Sequence, residues 1–448
     1  MNSKVLRWVA VGLFCGAAVN NAFAAGFQIY EQGGSGLGNA FAGAAASAED
    51  ATTLFYNPAG LSYLHGNEVA GMLHTIVPHA QFTNQGTRTV LGAPAIGGNG
   101  GDGGSPVIIP NMYLTSDMFG HGLTVGVGVN SPFGLKTEYD SDWVGRYQAI
   151  RSKLTTMNLL GGVSYRVNDL ISIGGGINFM RANAELTNAI DFGAICVARL
   201  GGVCGGALVP GNLGAVRSDG LGVVEGDDWG VGYSLGLIVE PIAGTRLGAA
   251  FRSKVDVKLD GSASFSNPTL PGGLAALTAP FSNTSATAKL TMPEEASFSV
   301  FSQLTPHWAL MADISWTNWS RFKELRVDFG NTLPDTVVQQ QWNDSFRYSG
   351  GVTYTLNDAW KFRAGGAFDE SPVANRFRTP RIPDADRTWV TFGINHRISS
   401  AGTIDLSYVH VFVDDGPIDK RGESDGSRLL GNFESSVDAL SLQYTHQF

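Results

Sequence analysis

Residues 439–448 alternate strictly. Leu440, Leu442, Tyr444 and Phe448 share one face, and Ser441, Gln443, Thr445 and Gln447 share the other. A repeat of two is the period of a β-strand. An apolar face backed by a small, polar one predicts a strand with lipid on one side and a polar lumen on the other. The pattern recurs upstream. Over 157–167, Met157, Leu159, Val163 and Tyr165 oppose Asn158, Ser164 and Arg166. Over 387–398, Val390, Phe392, Ile394 and Ile398 share a face, and 403–412 reads the same way. From Asn67 onward about fourteen such strands are expected, an even number as single-chain bacterial barrels require.

The connections alternate in length. Tight turns are predicted at 118–121, 167–169, 241–245, 304–307, 356–359 and 399–402. Long connections fall at 78–106, 131–152, 187–226, 260–286, 330–342, 371–384 and 413–431. Short turns at one end and long loops at the other are the pattern of a transmembrane antiparallel β-barrel, so the fold class is all-β, with residues 67–448 forming the barrel. Trp308, Trp316, Trp319, Trp360 and Trp389 lie near strand ends, where interfacial aromatic girdles are expected. Glycines alternate into the strands, as at Gly126, Gly128, Gly174 and Gly176, where they let a sheet bend or another backbone approach.

Composition removes the other classes. The chain has 448 residues, 59 glycines and only 15% charged residues, too apolar for disorder. No mature run of about 20 residues reads as a membrane-spanning helix, because Gly, Pro or a polar residue interrupts each candidate. Lys4 and Arg7, the apolar stretch 8–18 and Ala22-Phe23-Ala24 predict a signal peptide over 1–24. Its removal takes the formal charge from -9 to -11, two positive charges fewer, which argues against a nucleic-acid partner. Cys196 and Cys204 remain and are predicted to pair as one loop disulfide. No metal or cofactor is expected. His307, His396, His410 and His446 are scattered and belong to no nucleophile motif, so catalysis is not expected.

Residues 25–66 precede the first clear strand and are rich in small residues, including Gly33, Gly34, Gly36, Gly38 and the run 42–46. Such a segment packs closely but does not span lipid, so it is expected inside the barrel as a hatch or plug. Two long loops are greasy. One carries Leu208, Val209 and Leu213, and the other Leu270, Leu274, Leu277 and Phe281. Apolar clusters in water-facing loops predict either packing between the loops or a surface that collects an apolar ligand.

Several runs taken together closely resemble the FadL family, outer-membrane transporters of long-chain fatty acids with relatives such as TodX that take up aromatic hydrocarbons. They are Ala25-Gly26-Phe27-Gln28, Ser35-Gly36-Leu37-Gly38-Asn39-Ala40, Asn57-Pro58-Ala59, Asn130-Ser131-Pro132-Phe133-Gly134-Leu135, Leu290-Thr291-Met292-Pro293-Glu294, Phe368-Asp369-Glu370-Ser371-Pro372-Val373 and Ile382-Pro383-Asp384-Ala385-Asp386-Arg387. The resemblance spans essentially the whole mature chain. It implies a fourteen-stranded barrel with an N-terminal hatch, and passive uptake of a hydrophobic small molecule. Phe27 would lie at the hatch tip near the ligand. Asn57, Pro58 and Ala59 would form a hatch turn facing the third strand. Pro132, Phe133 and Gly134 would mark an inward kink that opens the wall sideways. The greasy loops would be the outer collecting groove. Family members for fatty acids place basic residues in the inner pocket, but the matching positions here fall near the uncharged Asn188 and Asn343, leaving Arg347 as the polar anchor to test. The terminal aromatic looks like an insertion signal, so the barrel-assembly machinery, outer-membrane lipid and lipopolysaccharide are the expected surroundings. A structural or adhesive barrel and a barrel hydrolase are the rival readings.

Overall fold

The computed structural model describes residues 26–117, 122–201, 218–270, 272–422 and 426–448. Its strands are β1 (Asn67–Asn84), β2 (Val107–Ser116), β3 (Leu123–Asn130), β4 (Gly134–Glu138), β5 (Arg151–Arg166), β6 (Ile171–Asp191) and β7 (Asp219–Ile242). There follow β8 (Thr245–Arg252), β9 (Val255–Ser266), β10 (Thr284–Met292), β11 (Glu295–Gln303), β12 (Trp308–Thr317), β13 (Glu324–Phe329) and β14 (Thr336–Gln339). The last are β15 (Ser345–Asn357), β16 (Trp360–Asp369), β17 (Arg387–Arg397), β18 (Gly402–Val413), β19 (Gly416–Arg421) and β20 (Arg428–Gln447). Pairs such as β3 and β4, β8 and β9, or β10 and β11 are two pieces of one bent crossing, so the sheet is a closed 14-strand antiparallel barrel. β20 closes it on β1, from Glu68↔Gln447 to Asn84↔Gly431.

Alternation decides which way each side chain points. On β20, Leu440, Leu442 and Tyr444 are 49%, 50% and 43% exposed, whereas Ser441 and Gln443 are fully buried. Trp229, Val231, Tyr233, Leu235 and Leu237 form the same outward stripe on β7. Outward means toward lipid, where an apolar side chain has nothing to gain from hiding. The wall strands run further into the loops than their hydrophobicity indicates. β6 and β7 pair continuously to Asp191↔Asp219, well inside the predicted 187–226 loop. Backbone pairing needs no apolar side chain, so a polar ribbon continues above the membrane. Trp308 and Trp360 are exposed at strand ends, as a girdle requires, but Trp319 and Trp389 are buried inside. That corrects their girdle assignment: Trp389 sits on the inner face of β17 and Trp319 in a 3-10 turn after β12 that folds inward, against the N-terminal segment or other aromatic rings.

Residues 26–64 fill the lumen as short helical turns at Gly34–Leu37, Ala44–Ser47 and Thr53–Tyr56 and a 3-10 helix at Pro58–Tyr63. Wall glycines make room for them. A Cβ on Gly174 would lie 2.4 Å from the Ala59 nitrogen, and one on Gly248 would lie 1.9 Å from the Ala45 carbonyl oxygen. Polar contacts hold the segment in place. Gln443 donates to Asp50 and accepts from the Gly34 N–H. Arg363 bridges Glu49 of the segment and Asp405 of the wall.

Candidate functional site

The third crossing breaks between β3 and β4. Pro132 has no N–H to donate, and its neighbours leave the ladder. β2 pairs with β3 only over Met112–Ser116, and β4 pairs with β5 but not with β2, so the wall is open between 107–111 and 131–135. The N-terminal segment lines this opening. Gln28 and Phe133 form an antiparallel bridge, Ile29 donates to the Pro132 carbonyl at 2.9 Å, and Gly134 donates to the Phe27 carbonyl at 2.9 Å. Thr156 pins the bend from behind, accepting from the Phe133 N–H and donating to the Phe133 carbonyl.

A cavity of about 360 Å³ runs from the lumen to this opening, lined by Phe27, Ile29, Phe133, Gly134, Ile108 and Val411 among others. Lys136 and Lys153, directly opposite across β4 and β5, also line it. A second, smaller cavity of about 80 Å³ adjoins it and shares Phe27, Leu135, Leu154 and Ile382. Leu259, Leu290, Phe322, Leu325 and Val327 complete its apolar wall. Phe27 packs edge-on against Trp319 at 4.7 Å and also meets Phe133, Phe322 and Trp342. Gly26 permits this fit: its φ is +59°, and a Cβ there would lie 2.5 Å from the Trp342 ring.

Arg381 lines the smaller cavity, with Ser152, Lys153, Glu225, Thr287 and Gln340 as its other polar residues. It is buried, and its hydrogen-bond partners among the described residues are neutral: the Arg151 and Thr187 carbonyls, Ser152 and Asn188. Burial without a nearby anion brings its pKa down to about 10. Asn188, at one of the positions where a basic residue was sought, is thus a neighbour of the cation.

The remaining predicted residues fall in distinct places. Asn57 donates to the Ala45 carbonyl at 2.6 Å and the Leu237 carbonyl at 3.1 Å, and accepts from the Ala59 N–H. Ser164 donates to the Ala59 carbonyl. The turn at Asn57, Pro58 and Ala59 therefore rests mainly on β5 to β8, which corrects its expected placement on the third strand. Glycines there bare carbonyls for the Asn57 amide, while the third strand meets Leu54 and Leu61 at Gly126. Arg347 points inward as expected. It donates to the Ala40 carbonyl and lies over the rings of Tyr30 and Trp389, outside both cavity linings. It holds the N-terminal segment. Leu270, Leu274, Leu277 and Phe281 pack with Phe192 and Cys196, so the two greasy loops do cover one another. Cys196 is disulfide-bonded; Cys204, Leu208, Val209 and Leu213 lie outside the described residues. Residue reading missed Arg381, which directly precedes a noted run, and it missed the inward turn of Trp319 and Phe322, which periodicity does not carry.

The fold and site define an outer-membrane transport barrel. A family model described as outer membrane protein transport protein (OMPP1/FadL/TodX) matches residues 16–448, and the chain belongs to that family. It is an outer-membrane transporter of the FadL/TodX type for hydrophobic substrates, of the kind found in Gram-negative bacteria. The long-chain fatty acid transport protein of Escherichia coli strain K12 is 30% identical over 438 residues, covering 91% of this chain and 93% of that one. The outer membrane protein P1 of Haemophilus influenzae is 27% identical over 427 residues, covering 88% and 87%. Among solved structures, a Pseudomonas aeruginosa FadL homologue superposes with a TM-score of 0.85 at 25% identity, covering 95% of this chain and all of that one. The toluene transporter TbuX of Ralstonia pickettii shares the fold, with a TM-score of 0.66 at 21% identity over 94% and 100% of the chains.

Proposed function

We propose that the protein passively takes up long-chain fatty acids, and that Arg381 receives the carboxylate. The observation that carries this reading is a buried cation with neutral partners at an apolar cavity. Such a group is costly alone and is relieved by an incoming anion. Each buried methylene contributes about 0.8 kcal/mol, so a dozen give roughly 10 kcal/mol before ordering costs. The greasy loops collect the molecule from outside. The two cavities hold it, with Phe27 between them.

A grip of that size needs a release step, and residues 26–66 supply it as a hatch that changes arrangement. Ala40, Phe41 and Ala48 sit at positive φ, a strained geometry that favours a second arrangement. The molecule then leaves sideways through the opening at Pro132, Phe133 and Gly134, into the outer membrane rather than into water. Lys136 and Lys153 meet its head group there. Uncharged hydrocarbons are the second reading, favoured by Asn188 and Asn343 where basic residues were sought.

The discriminating experiment compares binding of a long-chain fatty acid and the matched alkane to purified protein in mild detergent. Arg381→Met is expected to weaken the acid by about 10- to 100-fold, the worth of a hydrogen-bonded charge, and to leave the alkane unchanged. Equal effects on both ligands, or none on either, remove the fatty-acid reading and leave the hydrocarbon one.

A further inference from the structure

The wall has a second break, on a different seam from the first. Four neighbouring strands share one rung, in which Arg252 pairs with Glu295, Glu295 with Thr317, and Thr317 with Ser345. Above that rung each strand is interrupted: at 253–254, at 293–294, at 318–323 and at 340–344. Along the seam between β10 and the crossing made of β12 and β13, pairing resumes only at Ala288↔Val327. Residues 289–294 and 318–326 face each other without a ladder. A single backbone bond, from the Asn318 N–H to the Glu294 carbonyl at 3.0 Å, joins the two sides at the lower edge.

Chain and side chains both depart from a wall here. Pro293 offers no donor. The segment opposite bulges inward and buries Trp319 and Phe322 against Phe27 and Trp342. The smaller cavity reaches this seam from inside, through Leu290, Phe322 and Leu325. At the outer side, Arg321 forks onto both oxygens of Glu294, with Asn318 donating to the same carboxylate. Closure therefore rests on the Arg321–Glu294 fork, the Asn318 amide and that one backbone bond, with Arg321 part-exposed and Glu294 buried, where most other seams are held by backbone ladders. With Arg321 41% exposed, solvent screens the fork from one side, which makes it a weaker fastening than a continuous ladder.

We infer that this seam is a second lateral passage for long apolar molecules between the smaller cavity and the head-group edge of the outer leaflet, where the outward neighbours Lys254, Asp256 and Lys258 are charged, with Arg321 and Glu294 as its latch. The inference rests on the reading of the chain as a carrier of hydrophobic molecules. Phe27 is then the partition between two side openings, in contact with Phe133 at one and with Trp319 and Phe322 at the other.

The test uses full-length protein in liposomes and a pyrene-labelled long-chain fatty acid, with folding verified by heat-modifiable gel migration. In a Gly134→Arg background, which obstructs the first opening, uptake is expected to persist. Adding Glu294→Cys with Arg321→Cys is expected to abolish that residual uptake under oxidation and to restore it with dithiothreitol, while Gly134→Arg alone responds to neither reagent. As an independent measurement in the same background, Arg321→Ala with Glu294→Gln unlatches the seam and raises residual uptake several-fold. Loss of all uptake in Gly134→Arg while the wild type transports overturns the second passage but leaves the transport reading standing. Uptake indifferent to the unlatching pair also overturns it. A wild type that moves no fatty acid sinks both.

Discussion

The wall below the Arg252–Glu295–Thr317–Ser345 rung and the wall above it are built differently. Below, registers run long, as from Leu123↔Tyr165 to Asn130↔Asn158 or from Trp308↔Tyr354 to Thr317↔Ser345, with shifts among the described residues only beside the lower turns at Val239/Ile242 and Thr355/Asn357. The N-terminal segment fills that part through close backbone contacts and buried charges. Above, two seams are open and the cavities collect between them. The difference teaches that a barrel tolerates missing ladders only where side chains or another segment close them. At the first seam the hatch lends its own backbone, and at the second an ion pair stands in. Closed stability and open chemistry are thus divided by height along one set of strands.

Mutations can break this contrast. The largest effect is expected low in the barrel. Arg363→Ala leaves Asp405 buried without its cation, at a cost of about 3–5 kcal/mol. Denaturant unfolding of the folded barrel should show it, and an unchanged midpoint would mean that the hatch is not fastened there. Asn57→Ala removes amide bonds to the Ala45 and Leu237 carbonyls, worth about 1–3 kcal/mol locally. Hydrogen exchange should rise in the hatch amides while the strands stay protected; loss of the barrel itself would make Asn57 a folding residue instead. Gly134→Arg acts above the rung. It is expected to lower fatty-acid uptake without moving the unfolding midpoint, and normal uptake would remove the first opening from the route.

The smallest effect concerns pH. Asp386 lies in the loop that carries Arg381, and burial together with Asp414, Asp384 and Glu370 pushes its pKa up to about 7. The folded loop therefore holds a proton that the unfolded chain gives up. Its stability is fullest below about pH 4 and falls as pH rises through about 7. Exchange of residues 371–386, corrected for intrinsic rates, should be faster at about pH 8 than at about pH 5.5. Asp386→Asn should flatten that difference.

Legibility followed the range of the interaction responsible. The outward faces of β17, β18 and β20 were readable because a two-residue period is local and lipid enforces it. The strand break at Pro132 was expected from the family resemblance, and the proline's missing donor, a property of one residue, agrees with it. Arg381 was not, since its burial among Ser152, Thr187 and Asn188 joins distant parts of the chain. Trp319 looked like a girdle residue for the same reason: it lies just past the end of β12, and only the inward 3-10 turn places it in the lumen.

The amino-acid sequence by itself determined a membrane barrel of alternating strands, the expectation of a small-residue segment in its bore, and kinship with hydrophobic-substrate transporters. Side-chain period, glycine content and proline placement act over a few residues and need no partner. Tertiary structure alone decided which strands receive the Asn57 turn, where a cation meets the apolar cavity, and that a second seam lacks its ladder. Those outcomes depend on which carbonyls, rings and charges come together across the lumen, and no local pattern in the chain encodes that meeting.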